Sequence, residues 1–301
     1  MFFTQATAQL KVNEFSANKG YIDEDLDEVD WIEIINIGAT TVELSNYYLS
    51  DDLSELNQWQ LPEETLDPME IMLICASGKD RNYRTRHWES IILAENNWQY
   101  FIGTEEPEEN WTTSSFNNEW NDGIGGFGYG DGDDNTIIEN TISIYLRKEF
   151  DLEDIEELTS LVLHADYDDA FVAYINGVEI MRSNNILGSP PQYNTTPNID
   201  HEANLYWGGE AEKKIFTKDE LNTLLYPNNN VLAIQVHNVS SYSSDMSSNF
   251  FLSAGISTEN YFYQNPPAWF DLDTTSTYHT NFKLSNNEHV IISDANNLII
   301  D

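Results

Sequence analysis

Apolar residues in this chain recur at every second position, and that spacing commits the backbone to strands rather than helices. Ile142, Ile144, Leu146, Lys148 and Phe150 share one face of an extended segment, and Leu161, Leu163, Ala165 and Tyr167 share a face of the next. Leu232, Ile234 and Val236 mark a further face, read as half-buried. Residues 171–175 and 178–180 flank Asn176-Gly177, a hairpin signal because both turn residues must accept positive φ. A single helix start stands out. Thr217-Lys-Asp-Glu220 forms a capping box, leads into residues 221–225 and is stopped by Pro227. The expected fold class is all-β with one short helix.

Charge narrows the partners. The 301 residues hold 13 Lys+Arg against 52 Asp+Glu, a net charge of −39. Such a field repels phosphate backbones and anionic membrane surfaces, so nucleic acid is not an expected partner. It attracts cations, calcium above all, and it also keeps a secreted protein soluble. With 40% hydrophobic residues the chain has ample material for packed cores, and its length allows one to three domains. Cys75 is the one cysteine, which rules out an intramolecular disulfide and a zinc–thiolate site. It lies in the apolar run Ile71-Met-Leu-Ile-Cys75 and reads as a buried, inert thiol. No apolar stretch reaches the length of a membrane span. Met1-Phe-Phe-Thr-Gln-Ala-Thr-Ala8 is too short for a signal peptide, yet Ala6-Thr-Ala8 matches the end of one. The expected location is extracellular or at the cell surface.

Two sets of motifs interleave. The first comprises Val12-Asn-Glu-Phe15, Asp30-Trp-Ile-Glu-Ile34, Tyr48-Leu-Ser-Asp-Asp52, Trp59-Gln-Leu-Pro62 and Ile74-Cys-Ala-Ser-Gly-Lys-Asp-Arg81. It resumes only with His279-Thr-Asn-Phe-Lys-Leu-Ser285 and His289-Val-Ile-Ile-Ser-Asp294. Together these resemble a lamin tail domain, an immunoglobulin-like β-sandwich, split over residues 10–81 and 279–301. The second set includes Asn97-Trp-Gln-Tyr-Phe101, Phe127-Gly-Tyr-Gly-Asp-Gly-Asp133 and Tyr145-Leu-Arg-Lys148. It continues with Asp166-Tyr-Asp-Asp-Ala-Phe-Val-Ala-Tyr-Ile-Asn-Gly-Val-Glu179 and Asn230-Val-Leu-Ala-Ile-Gln-Val-His-Asn238. This set resembles a galactose-binding-like jelly roll over residues 89–258, with 259–278 as the returning linker. The combination is similar to the N-terminal region of secreted bacterial spore-coat-H-like proteins, whose kinase-like domain lies further along. These residues contain neither a glycine-rich phosphate loop nor a His-Arg-Asp catalytic loop. The resemblance therefore implies that any activity resides beyond Asp301.

Candidate sites follow from residue chemistry. Asp23, Asp25 and Asp27 alternate in a loop, but an EF-hand needs glycine and glutamate where Glu28 and Ile34 stand. That loop reads as solvated. Gly130-Asp-Gly-Asp-Asp-Asn135 is the stronger metal candidate: its glycines permit tight turns, and Asp131, Asp133 and Asp134 supply hard oxygens. Asp245 from a second loop completes the expected calcium set, against the alternative of a turn tied by its own aspartates. Asp166, Asp168 and Asp169 invite a glycosidase acid–base reading, but neighbours on a strand point to opposite faces. They are read as loop braces. His164, His237 and His279 are dispersed and read as hydrogen-bonded strand residues, and no Gly-x-Ser-x-Gly elbow occurs. No catalytic residue is expected. Trp98, Trp111, Trp120, Tyr129, Tyr193 and Trp207 lie in or near loops, where an aromatic face can stack on a sugar. Trp111 and Trp120 read as core; Trp207, beside Gly208-Gly209, is the expected ligand contact.

The sequence thus points to a non-catalytic extracellular adhesion or carbohydrate-binding segment. Its partner is a glycan or a cell-surface protein, and the isolated segment is expected to be monomeric. Two alternatives stay open: an accessory region positioning a catalytic domain, either a spore-coat-H-like kinase or a polysaccharide-degrading enzyme, and a structural protein–protein spacer.

Overall fold

The computed structural model describes residues 10–23, 27–130, 132, 134–272, 274, 277–285 and 288–301. The chain divides into two compact units: one runs to Arg86 and resumes after Leu272, and the other spans His87–Leu272.

The first unit is a sandwich. One sheet has the order Leu10–Ile22, Glu28–Asn36, Ile71–Ala76 and Tyr278–His279, with the last strand parallel to its neighbour. The other has the order Ile291–Asp294, Tyr47–Ser50 and Trp59–Gln60. Ile32, Ile34 and Ile74 from the first meet Leu49, Trp59 and Ile292 from the second in one core. Late residues therefore contribute a strand to each sheet begun by early ones. Where the chain leaves and returns, the Arg81 and His279 amides each donate to the other's carbonyl at 2.8 Å. Such closeness is what lets a domain accept an insertion without being pulled apart. Cys75 is fully buried in its strand. In the acidic loop, Lys79 Nζ stands 2.6 Å from Asp23 and 3.0 Å from Asp27, so an ammonium already serves these carboxylates. Asp25 lies outside the described residues.

The second unit is also a two-sheet sandwich. Its six-stranded sheet has the order Asn121–Ile124, Asn97–Ile102, Ser143–Phe150, Asn230–His237, Ala170–Ile175 and Val178–Arg182. The facing sheet has the order Glu212–Thr217, Leu158–Tyr167, Ser248–Ile256 and His87–Ile92. Ile144, Leu146 and Ile234 of one pack with Leu161, Leu163 and Leu252 of the other, as the alternation requires. The hairpin turn is as its dipeptide predicts, with φ 52° at Asn176 and 86° at Gly177. The helix Lys218–Leu224 begins at the predicted box, where Glu220 accepts from the Thr217 amide at 2.8 Å.

Three readings change. The 230–237 strand is buried on both faces, not half-buried, because Trp111 and Phe116 cover Val231 and Ala233 on the outer side. Among the described residues His164 has no hydrogen-bond partner on either ring nitrogen. It meets Trp269 and Phe270 edge-on at 5.2 and 5.3 Å, an aromatic setting that the half-buried rings of the 258–272 stretch supply. That stretch packs on this unit: Phe262 and Tyr263 join its core, and both amides donate to the buried Glu89 carboxylate.

Candidate functional site

The 158–167 strand belongs to one sheet and the 170–175 strand to the other, so Asp166, Asp168 and Asp169 sit where the chain crosses between layers. Two of them brace loops. Asp166 Oδ1 accepts from the Asn204 and Leu205 amides at 2.6 and 3.2 Å. Asp169 accepts from the His201 amide at 2.9 Å with one oxygen and from the Val239 amide at 2.6 Å with the other. Residues 201–207 and the loop that begins at Val239 are therefore fastened to one corner of the sandwich.

The first of those loops presents aromatic surface. Leu205–Trp207 forms a short 3₁₀ turn closed by Gly208 in the left-handed region at φ 79°. Trp207 is 77% exposed, and its ring lies 4.6 Å from that of Tyr206. His201 stacks on Tyr167 at 4.3 Å, which fixes the start of the same loop. Of the other aromatic candidates, Trp98, Trp111 and Tyr129 are buried, and Trp120 and Tyr193 pack on the core cluster that contains Trp111.

Asp168 does something different from its neighbours. Its side chain is buried, and unlike Asp166 and Asp169 it receives no backbone amide among the described residues. One oxygen each of Asp168, Glu202 and Asp245 lie within 4.8 Å of one another. Burial, then the Asp169, Asp245 and Glu202 charges, push the Asp168 carboxyl up to about 9. Burial and the neighbouring Asp245 and Asp169 raise Glu202 as well. Desolvation first, then Asp168 and Asp245, raise the Tyr129 hydroxyl beside them.

The expected calcium residues are distributed unevenly. Asp131 and Asp133 lie outside the described residues. Asp134 sits under Gly128, where an added Cβ would stand 2.2 Å from its Oδ1. Gly130 abuts Ser244 and Asp245, so the two loops expected to meet do meet. Asp245, however, shares its carboxylate neighbourhood with Asp168 and Glu202. The sequence marks Asp168 only as a brace, and Glu202 carries no sequence signal because its loop has no period or motif.

The first unit holds a buried polar network that the sequence did not reveal. Ser77 Oγ lies 2.8 Å from His279 Nδ1, and Asp23 Oδ2 lies 4.0 Å from the same nitrogen. A hydrolase relay needs serine and acid on opposite ring nitrogens. Here both address Nδ1, while Thr277 takes Nε2 at 3.1 Å. The geometry is that of a structural network beneath a cavity of about 520 Å³ lined by Lys19, Lys79 and Lys283 among others.

The loop-bearing unit is thus an all-β sandwich with an aromatic platform and a carboxylate cluster at one corner. No known family profile matches the chain, and no curated protein matches it. Solved structures that resemble it include the Bacteroides uniformis beta-glucuronidase, at 12% identity and TM-score 0.36, covering 56% of this chain and 18% of that one. A beta-glucuronidase of an uncultured Clostridium sp. follows at 11% and 0.37, covering 57% and 29%. The Ruminococcus gnavus beta-glucuronidase gives 10% and 0.33, covering 57% and 30%. The chain spans less than a third of the length of each of these three. At such identities and scores the likeness assigns neither a family nor an activity.

Proposed function

We propose that this chain is a non-catalytic, extracellular carbohydrate-binding segment whose sugar contact is the Trp207 platform. One observation carries the reading: an indole 77% exposed on a turn whose backbone is tied down by a buried aspartate. An aromatic face stacks on the C–H face of a pyranose, and a loop ordered in advance loses little entropy on binding. The acidic field selects neutral glycans over sulfated or phosphorylated ones. A structural calcium ion belongs to the same reading, since the corner beside the platform supplies hard oxygens.

A glycan array followed by calorimetry tests it. The native protein binds a neutral oligosaccharide, and Trp207→Ala weakens that binding by about tenfold or more, the usual cost of removing an aromatic anchor. A native protein that retains no glycan but captures a defined cell-surface protein would overturn the reading and leave a protein–protein spacer. Turnover that appears only when a catalytic domain is joined to this chain would point instead to an accessory region.

A further inference from the structure

The short acidic run at the corner divides its labour in a way that hydrogen bonding alone leaves unfinished. Asp166 and Asp169 each receive two backbone amides. Asp168 is 4% exposed and receives none, facing two further carboxylates instead. A buried anion surrounded by anions is unfavourable unless something positive joins it. Asn238 supplies the independent observation. Its side chain is fully buried beside the cluster, and Nδ2 donates to the Asp245 carbonyl at 3.0 Å and to Tyr129 Oη at 2.9 Å. Its Oδ1 has no hydrogen-bond partner among the described residues. A buried amide oxygen without a donor stands in the corner where Asp168 receives no amide and Asp245 Oδ1 accepts only from the Ser244 hydroxyl at 2.8 Å, and these oxygens are a set of ligands more than a set of braces.

We propose that Asp168, Glu202, Asp245 and the Asn238 amide oxygen seat one calcium ion. Calcium binds oxygen at about 2.3–2.6 Å, so ligands on opposite sides of the ion stand about 5 Å apart. The carboxylate oxygens already lie within 4.8 Å of one another and need no rearrangement to share it. Water completes the six to eight ligands calcium prefers. This seat differs from the Gly130–Asn135 loop expected from sequence, with which it shares only Asp245. The ion joins three places in the chain: the crossover at Asp168, the 201–207 loop through Glu202, and the loop after Val239 through Asp245. The first of those loops carries Trp207 and the second carries Tyr242, which is 93% exposed. Bound calcium therefore fixes the platform that the carbohydrate reading uses. The link to glycan rests on that reading; the ion site does not.

Thermal unfolding of the full chain in millimolar calcium against chelator tests the site, with calorimetry for stoichiometry. The expected result is one ion per chain and a melting temperature raised by several degrees, since a ligand bound only to the native state stabilises it. Glu202→Gln, at an exposed position that does not threaten folding, abolishes most of that rise, and Asp168→Asn abolishes it too. An Asp131→Asn/Asp133→Asn double variant retains it. Absence of any calcium-dependent shift in the native protein overturns the proposal. So does a shift that survives Glu202→Gln but disappears in the double variant. Calcium binding with the expected mutant pattern, in a protein that binds no glycan, would sink the carbohydrate reading and leave the ion site standing.

Discussion

Asp168 and the buried histidines pull the pH dependence of folding in opposite directions. The Asp168 carboxyl is raised from 3.8 to about 9, chiefly by burial. Across that window the folded chain holds a proton the unfolded chain has lost, so stability falls as pH rises. His164 and His237 are lowered by burial from 6.5 to about 4. Between those values the unfolded chain holds the protons, so stability falls as pH drops. Two histidines outweigh one aspartate on the acid side. In chelator the stability maximum is therefore expected near pH 6.5, with a decline in both directions. Urea midpoints measured from about pH 4 to 9 check it. Asp168→Asn shrinks the alkaline decline and steepens the acid one, because Asp168 no longer offsets one of the two histidines; an unchanged alkaline decline in that variant would contradict the assignment.

The hairpin at Asn176-Gly177 shows how a local signal becomes a structural commitment. Gly177 adopts φ 86°, and an added Cβ would stand 3.1 Å from the Thr113 methyl. Asn176 is spent as well: Oδ1 accepts from the Val231 amide, and Nδ2 donates to the Leu224 carbonyl. Gly177→Ala should destabilise the protein by about 1–2 kcal/mol, the cost of a left-handed residue with a Cβ. A lowered urea midpoint with unchanged slope is the expected reading, and an unchanged midpoint would contradict it. Strand alternation, this turn and the Thr217 capping box were legible in the sequence because each depends on neighbours a few residues away. The double burial of the 230–237 strand was not, since Trp111 and Phe116 reach it from a distant loop. The corner was half legible. Paired glycines marked Trp207 as a loop residue, and the acidic run marked Asp168, but only folding brings Glu202 and Asn238 beside it.

Over the whole chain, a charge of −39 and a sandwich with loops gathered at one corner favour the same kind of partner. The field repels polyanions and draws divalent cations toward carboxylates, while a flat indole offers a neutral surface that sugar rings can cover. The chain has eight tryptophans, and of the seven others none ranks with Trp207 among the exposed large hydrophobics of the described residues. The most direct measurement uses that contrast: the indole N–H resonances of the full chain in calcium, titrated with the oligosaccharide that an array identifies. The account predicts that the resonance lost in Trp207→Ala moves with the bound fraction while those of the buried Trp59, Trp98 and Trp111 stay in place. A Trp207 signal that stays fixed while the glycan binds, or a saturating glycan that moves only another indole, would contradict it.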